Sequence, residues 1–291
     1  MDVLWFNGRW TTTDEPVVRV EDRGLQFGDS IYEVLKFRRR APLLAERHFA
    51  RLQRCLTDLE IPPPWHLDAF LELLRELLDR TDLVHGLIYL QVTRGVAPRA
   101  HAWGAAIDPT ALAYARAFEF PSAERMRDGI GLVSMRDNRW ERRDLKTTNL
   151  LANVFAKNHA MREKAGEALY VDDGFVTECA SSSFFAVLNG ALVTREDGIE
   201  ILPGTVRDAV IELAQSDGIE VRRRPIALHE LESATELFVT STSLGVMPVS
   251  SIDASLTRAR GPVTERLQQL LTLLEEDTID RWWLVARRAE S

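Results

Sequence analysis

Lys146 stands within RWERRDLKTTNLL, just ahead of a predicted helix, with cationic residues before it and apolar and small residues after it. A lysine in a partly desolvated, cation-rich setting gives up its proton more easily and can serve as an amine nucleophile or base. Glu178, in FVTECASSS, follows a predicted hairpin. A carboxylate held against a pyridine nitrogen keeps that nitrogen protonated, which lets the ring take up electrons. LPGTVRDAVIELA puts Gly204 and Thr205 at the start of an amphipathic helix, where free N–H groups and the helix dipole favour an anion. ELFVTSTS ends a predicted strand in the hydroxyls of Thr240, Ser241, Thr242 and Ser243, which can donate to phosphate oxygens. Arg51, on the charged side of a predicted helix, offers a guanidinium for the same anion. Each of these has an ordinary structural explanation when taken alone: a surface lysine, a strand-end glutamate, a helix start after a Pro-Gly turn, a polar strand end, a solvated arginine.

The elements that must position these residues are readable in outline. Phe49, Leu52, Leu56 and Leu59 recur at helical spacing, and DAFLELLRELLDR repeats the pattern after the Pro62-Pro63-Pro64 breaker. LIYLQVT (87–93) reads as a strand running into the Gly- and Pro-containing loop RGVAPRAHAWG, and ALAYARAFEF as a second strand. PSAERMRDG is the best linker candidate. Beyond it come the strand IGLVSM, a helix over about 148–163, a hairpin turning at Asp173-Gly174, and helices near 205–216 and 262–275. The expectation is an α/β chain of α+β character: a small N-terminal domain (1–120), a linker (121–128) and a larger mixed-sheet domain (129–291).

Composition narrows the function classes. With 36 Lys+Arg against 44 Asp+Glu, the net charge is −8, which lacks the basic excess of a nucleic-acid binder. No apolar stretch reaches the roughly 18 residues of a membrane span, and MDVLWFNGRW has no basic-then-apolar export signal, so a cytoplasmic location is expected. Cys55 and Cys179 match no zinc or redox spacing and are read as reduced; no metal site is expected.

Six separated segments share one resemblance. EDRGLQFGDSIYEVLKF, VTRGVAPRAH, RWERRDLKTTNLL, EALYVDDGFVTECASSS, LPGTVRD and ELFVTSTS resemble the successive motifs of the fold type IV pyridoxal-phosphate enzymes, most of all the D-amino-acid aminotransferases, over about residues 3–255. The resemblance implies a two-domain fold whose larger domain is a mixed-sheet pseudo-barrel, with pyridoxal 5′-phosphate as cofactor. It implies Lys146 as the Schiff-base lysine and general base and Glu178 as partner of the pyridine nitrogen, with Arg139 near the cofactor's ring hydroxyl. Arg51, Ser182, the backbone at Thr205 and Val206, Ser241 and Thr242 complete the cofactor site. Tyr32, Arg99 and His101 are implied to hold the substrate α-carboxylate, with the Arg99–His101 loop acting across a subunit boundary in a homodimer. The implied reaction is ping-pong transfer from a D-amino acid to a 2-oxo acid such as 2-oxoglutarate, giving D-glutamate.

Two departures stand out. Ser181-Ser182-Ser183-Phe184 has Ser where the family commonly has Asn, and Gly204-Thr205-Val206-Arg207 shifts a hydroxyl by one residue. Alternatives within the fold are a branched-chain L-aminotransferase, an R-amine transaminase and an aminodeoxychorismate lyase. Tyr32-Glu33-Val34 with Lys36 differs from the Glu-Gly with a nearby Arg usual in the first of these. From another class, a non-catalytic metabolite-binding relative would need neither Lys146 nor Glu178.

Overall fold

The structure, a computed structural model, describes residues 3–104 and 106–289, with side chains through residue 284. The chain forms two compact units: Met1–Glu119, Leu145–Asn149 and Glu275–Ser291 in the first, Phe120–Asp144 and Leu150–Leu274 in the second.

The first unit contains strands β1 (Val3–Phe6), β2 (Arg9–Thr12), β3 (Ser30–Arg38), β4 (Ala41–Pro42), β5 (His85–Thr93) and β6 (Thr110–Arg116). Its helices are α1 (Arg23–Phe27), α2 (Ala45–Asp58) and α3 (Leu67–Asp79). The strands form one sheet in the order β2-β1-β6-β5-β3-β4, antiparallel throughout. In β3 the period-2 alternation buries Ile31, Glu33, Leu35 and Phe37, so the strand carries one charge into an otherwise apolar face. Helix α2 supplies Leu52, Cys55 and Leu56 to the core, and α3 supplies Phe70, Leu73, Leu74, Leu77 and Leu78. Each such side chain contributes about 1.5–3 kcal/mol of burial.

The second unit contains α4 (Ala123–Asp128), β7 (Ile130–Arg136), α5 (Leu151–Arg162), β8 (Glu167–Asp172), β9 (Phe175–Cys179), β10 (Ser183–Leu188) and β11 (Ala191–Thr194). These are followed by α6 (Thr205–Ser216), β12 (Val221–Arg223), β13 (Ile226–Ala227), β14 (Glu236–Ser241), β15 (Gly245–Ile252) and β16 (Leu256–Thr257). Its sheet is mixed, in the order β12-β11-β10-β14-β15-β7-β8-β9-β13, with β16 added on β15. β15–β7, β7–β8 and β11–β12 are parallel and the other pairs antiparallel. The sheet curls: β9 and β10 stand far apart in the hydrogen-bonded order yet pack together. A last helix, α7 (Pro262–Ala289), begins in the second unit, and its part from Glu275 onward belongs to the first.

The fold class is the mixed α/β architecture expected. The β8–β9 hairpin turns at Asp173 and Gly174, both with positive φ (48° and 80°), which Asp-Gly tolerates. Two local features differ from the sequence reading. The stretch 121–128 holds α4, whose first turn is capped by the Ser122 hydroxyl accepting from Arg125 N at 3.2 Å. α7 runs well past residue 275, because Ile279 and Trp282 pack against the first unit's apolar residues.

Candidate active site

Residues 145–149 are positioned as an added strand on β3. Tyr32 N donates to Lys146 O (3.0 Å), Thr148 N donates to Ser30 O (3.2 Å), and Ile31 and Thr147 form a bridge. Strand alternation then buries Leu145 and Thr147 and turns Lys146 away from that core. Its Nζ lies 4.3 Å from the centroid of the Tyr32 ring, which in turn stacks on Tyr89. Among the described residues this amine makes no hydrogen bond and no ion pair, which is unusual for a half-buried lysine.

Beneath it lies a buried cluster. Glu33 Oε1 and Oε2 accept from Arg51 Nε (2.8 Å) and Nη2 (2.7 Å), and Glu33 Oε2 also meets His48 Nδ1 at 2.7 Å. Burial alone would raise the Glu33 carboxyl, but Arg51 and then His48 hold it far below the usual carboxylate range. Burial lowers His48 despite the opposing pull of Glu33. Arg51 is therefore a buried, oriented guanidinium rather than a solvated one.

Arg99 and His101 lie exposed on the loop after β5, both against the Phe27 ring, at 5.1 Å (Arg99 Cζ) and 5.7 Å (ring to ring). Neither has a carboxylate partner among the described residues. Tyr32 is not brought to them: its ring contacts are Tyr89 and Lys146.

In the second unit, Glu178 on β9 is buried. Its Oε1 accepts from Arg139 Nη1 at 2.5 Å and from Leu202 N at 3.2 Å, and its Oε2 has no hydrogen bond among the described residues. Arg139 also gives Nε (3.0 Å) and Nη2 (2.7 Å) to Asp137, whose Oδ2 accepts in addition from Thr177 Oγ1 at 2.8 Å. The guanidinium sits 4.5 Å from the Tyr170 ring centroid. Burial pushes Glu178 up, and Arg139 offsets this only in part. For Asp137 burial also acts upward, but its bonds to Arg139 and Thr177 leave it below the ordinary value. Tyr170 is pushed up to about 12 by burial, and its Oη has no partner among the described residues.

The segments around Gly204–Val206 and Thr240–Thr242, separated in sequence, meet through Ser183. Gly204, which precedes α6, packs so closely on Ser183 Oγ that an added Cβ would lie 2.7 Å from it. Ser183 pairs with Thr240 across β10–β14, so Thr205 and Val206 begin α6 at the sheet end where Ser241 and Thr242 lie. Among the described residues the N-cap Gly204 gives α6 no side-chain cap, and the buried Thr240 Oγ1 has no partner. Ser182 is differently engaged: its hydroxyl donates to buried Glu167 at 3.3 Å, beside that of Ser181 at 2.6 Å.

Sequence reasoning singled out neither Glu33, His48, Asp137, Tyr170, Arg23 nor Asp29 for a role. The last two lie in EDRGLQFGDS, where charges set among small and apolar residues were the available signal. Among the described residues no cluster of metal-ligating side chains occurs, no helix is long and apolar enough to cross a membrane, and both cysteines are free.

Residues 30–252 match the family described as amino-transferase class IV. The chain is 37% identical to a D-alanine aminotransferase of Bacillus licheniformis over 273 residues, 93% of this chain and 96% of that one. It is 34% identical to one of Staphylococcus haemolyticus, over 92% and 96% respectively. Among solved structures, the branched-chain amino acid aminotransferase of Escherichia coli superposes with a TM-score of 0.86 at 26% identity, covering 94% of each chain. The 4-amino-4-deoxychorismate lyase of Pseudomonas aeruginosa does so with a TM-score of 0.80 at 28% identity, covering 92% and 97%.

Proposed function

The chain belongs to the class IV aminotransferases, and from that premise we propose that it moves amino groups between D-amino acids and 2-oxo acids with Lys146 as its reactive amine. The observation that carries this reading is the Lys146 Nζ, held over Tyr32 by backbone pairing and engaged by no other polar group among the described residues.

The cofactor is pyridoxal 5′-phosphate, and the residues present fit it. Among the described residues, a partnerless amine, a Glu178 carboxylate oxygen without a donor, a helix whose N-cap Gly204 has no side chain to offer, and the partnerless Thr240 hydroxyl are what an aldehyde, a pyridine nitrogen and a phosphate require. Lys146 would hold its aldehyde carbon, Glu178 its ring nitrogen, and Arg139 the side of its ring hydroxyl. Arg51, Ser182, Thr205, Val206, Ser241 and Thr242 would form the rest of the cofactor site. When bound, the cofactor supplies a ring that takes up the electron pair left on the substrate's Cα.

The protein's own part is then positional and proton-handling. Lys146 Nζ, freed when the substrate amine takes its place on the aldehyde carbon, would remove the Cα proton and deliver it to that carbon of the cofactor, as a general base and then acid. Glu178, ionised, holds a proton on the facing nitrogen. Arg99 with His101 grips the α-carboxylate, since a guanidinium fixes orientation as well as charge, and Tyr32 shares in that grip. The exposure of Arg99 and His101, and their distance in the contact pattern from Tyr32, support a homodimer in which this loop serves the partner's substrate. The D-preference is supported by the relatives named as D-alanine aminotransferases.

The test offers D-alanine and L-leucine separately with 2-oxoglutarate to wild type and to Lys146→Ala. Wild type converts D-alanine and forms D-glutamate, needs the acceptor, and the variant is inactive. Turnover of L-leucine alone, product release without an acceptor, or an active Lys146→Ala would each sink the reading.

A further inference from the structure

The loop after β5 has no regular structure, yet its backbone is held in place by one buried side chain. Arg23, at the start of α1, is 3% exposed. Its Nη1 donates to Ala100 O at 2.6 Å and its Nη2 to His101 O at 3.0 Å, while Nε donates to Asp29 Oδ2 at 2.8 Å. Asp29 in turn accepts from Arg94 Nε (2.8 Å) and Nη2 (3.0 Å), and Arg94 anchors to the carbonyls of Leu59 (2.7 Å) and Glu60 (3.1 Å). Trp103, where the loop leaves, lies with its ring 3.8 Å from the Arg94 guanidinium. The loop's entry is fixed as well: Arg23 N donates to Gly95 O at 2.9 Å. Gly95 has φ 106°, and a Cβ there would overlap the Asp108 carbonyl.

We propose that Arg23 is a positioning residue for substrate-carboxylate binding: its forked guanidinium holds the carbonyls of Ala100 and His101 and thereby sets where Arg99 and His101 present their side chains. The inference rests on the reading of Arg99 and His101 as the carboxylate grip. Two planar N–H donors diverging from one carbon suit a pair of adjacent carbonyls, which a lysine ammonium does not reproduce. Asp29 is the counter-charge the two buried arginines share, and Arg94 with Trp103 ties the assembly to the chain after α2.

The test compares Arg23→Met, Arg23→Lys and Arg99→Ala as holoenzymes, with D-alanine and 2-oxoglutarate varied in turn. Arg99→Ala and Arg23→Met should each raise KM for both substrates by about tenfold or more, while kcat falls by less than about threefold and the cofactor absorbance is unchanged. Arg23→Lys should fall between wild type and Arg23→Met. A merely structural role would reduce cofactor content and kcat and leave KM where it was, and that result overturns the proposal. If Arg99→Ala itself leaves KM unchanged, the carboxylate reading fails and takes this inference with it; a raised KM in Arg99→Ala alone defeats only the role of Arg23. Should Arg23→Met fail to fold, Trp103→Ala decides, since Trp103 is 45% exposed. It should raise both KM values by about threefold, and unchanged values overturn the proposal.

Discussion

Two buried ion clusters, Glu33–Arg51–His48 in the first unit and Asp137–Arg139–Glu178 in the second, are built from the same parts with a different charge balance. In the first, one carboxylate receives both forks of one guanidinium plus an imidazole nitrogen, and its acidity is fixed far below normal. In the second, Arg143 Nη1 stands 3.4 Å from Asp137 Oδ2, and the Arg139 guanidinium serves two carboxylates. Asp137 takes two of its donors together with the Thr177 hydroxyl and lies below its ordinary value, whereas Glu178 takes a single donor from it and is pushed up. A buried carboxylate with half its acceptor capacity unused favours a further cation. In the first cluster both carboxylate oxygens are taken, whereas in the second Glu178 Oε2, the place proposed for the pyridine nitrogen, still has room for a protonated partner.

The largest way to break the comparison is to remove the acid from the closed cluster. Glu33→Gln leaves Arg51 buried without its counter-charge and should cost about 3–5 kcal/mol in urea unfolding, as broken buried pairs do. The same variant tests the pH consequence. Because Glu33 is more acidic folded than unfolded, its stabilisation is present above about pH 4.3 and lost as pH falls through the folded value. His48, lowered by burial, also makes unfolding easier as pH falls below about 6.5, since the unfolded chain takes up the proton first. Glu178 works in the opposite direction, costing stability as pH rises from about 4.3 through its raised value. Wild type without cofactor should therefore lose stability on acidification with Glu33 as a main contributor, and a wild-type pH slope unchanged in Glu33→Gln would contradict this.

Next in size is the open cluster's own acid. Glu178→Gln keeps the shape and removes the charge, so kcat for D-alanine should drop by about 100- to 1000-fold, the scale for losing one pre-positioned electrostatic group. Cofactor content and unfolding midpoint should change little by comparison. Near-normal kcat in this variant would mean that Glu178 does not govern the ring nitrogen.

What the sequence made legible follows the range of the forces involved. The Asp173-Gly174 turn, the helix over 205–216 and the amphipathic pair before residue 80 are set by local dihedral needs and periodicity, and they could be read directly. The ion clusters could not. Arg51 reads as solvated because helix periodicity says nothing about the one charge that β3 carries inward 18 residues earlier. The cation-rich setting inferred for Lys146 is weaker than it reads, since Arg142 pairs with Asp144 and Arg143 with Asp172. What singles Lys146 out is the pairing of its backbone with β3, a contact across more than a hundred residues. The motif resemblance supplied the chemistry expected of Lys146 and Glu178, while Asp137 and Arg23, whose bonds are to other residues of the chain, lay beyond its reach.

Asp137 offers the finest test of the contrast, because it can convert the second cluster into something closer to the first. In Asp137→Asn, Arg139 loses its rival carboxylate, and its charge falls wholly to Glu178. Glu178 should become more acidic, because the Asp137 charge beside it pushes it up, so any limb of the kcat–pH profile that reports its ionisation should move to lower pH. With its carbonyl at the Oδ2 position asparagine still accepts from Arg139 Nη2 and Thr177 Oγ1, while its amide then meets the Arg139 N and Nε donors, so folding and cofactor content are measured alongside. A limb that stays in place, with the variant folded and loaded with cofactor, would show that Glu178 is set by burial alone and that sharing Arg139 has no part in it. A limb that moves up instead would mean that Asp137 acts on Glu178 by orienting Arg139 more than by repelling it.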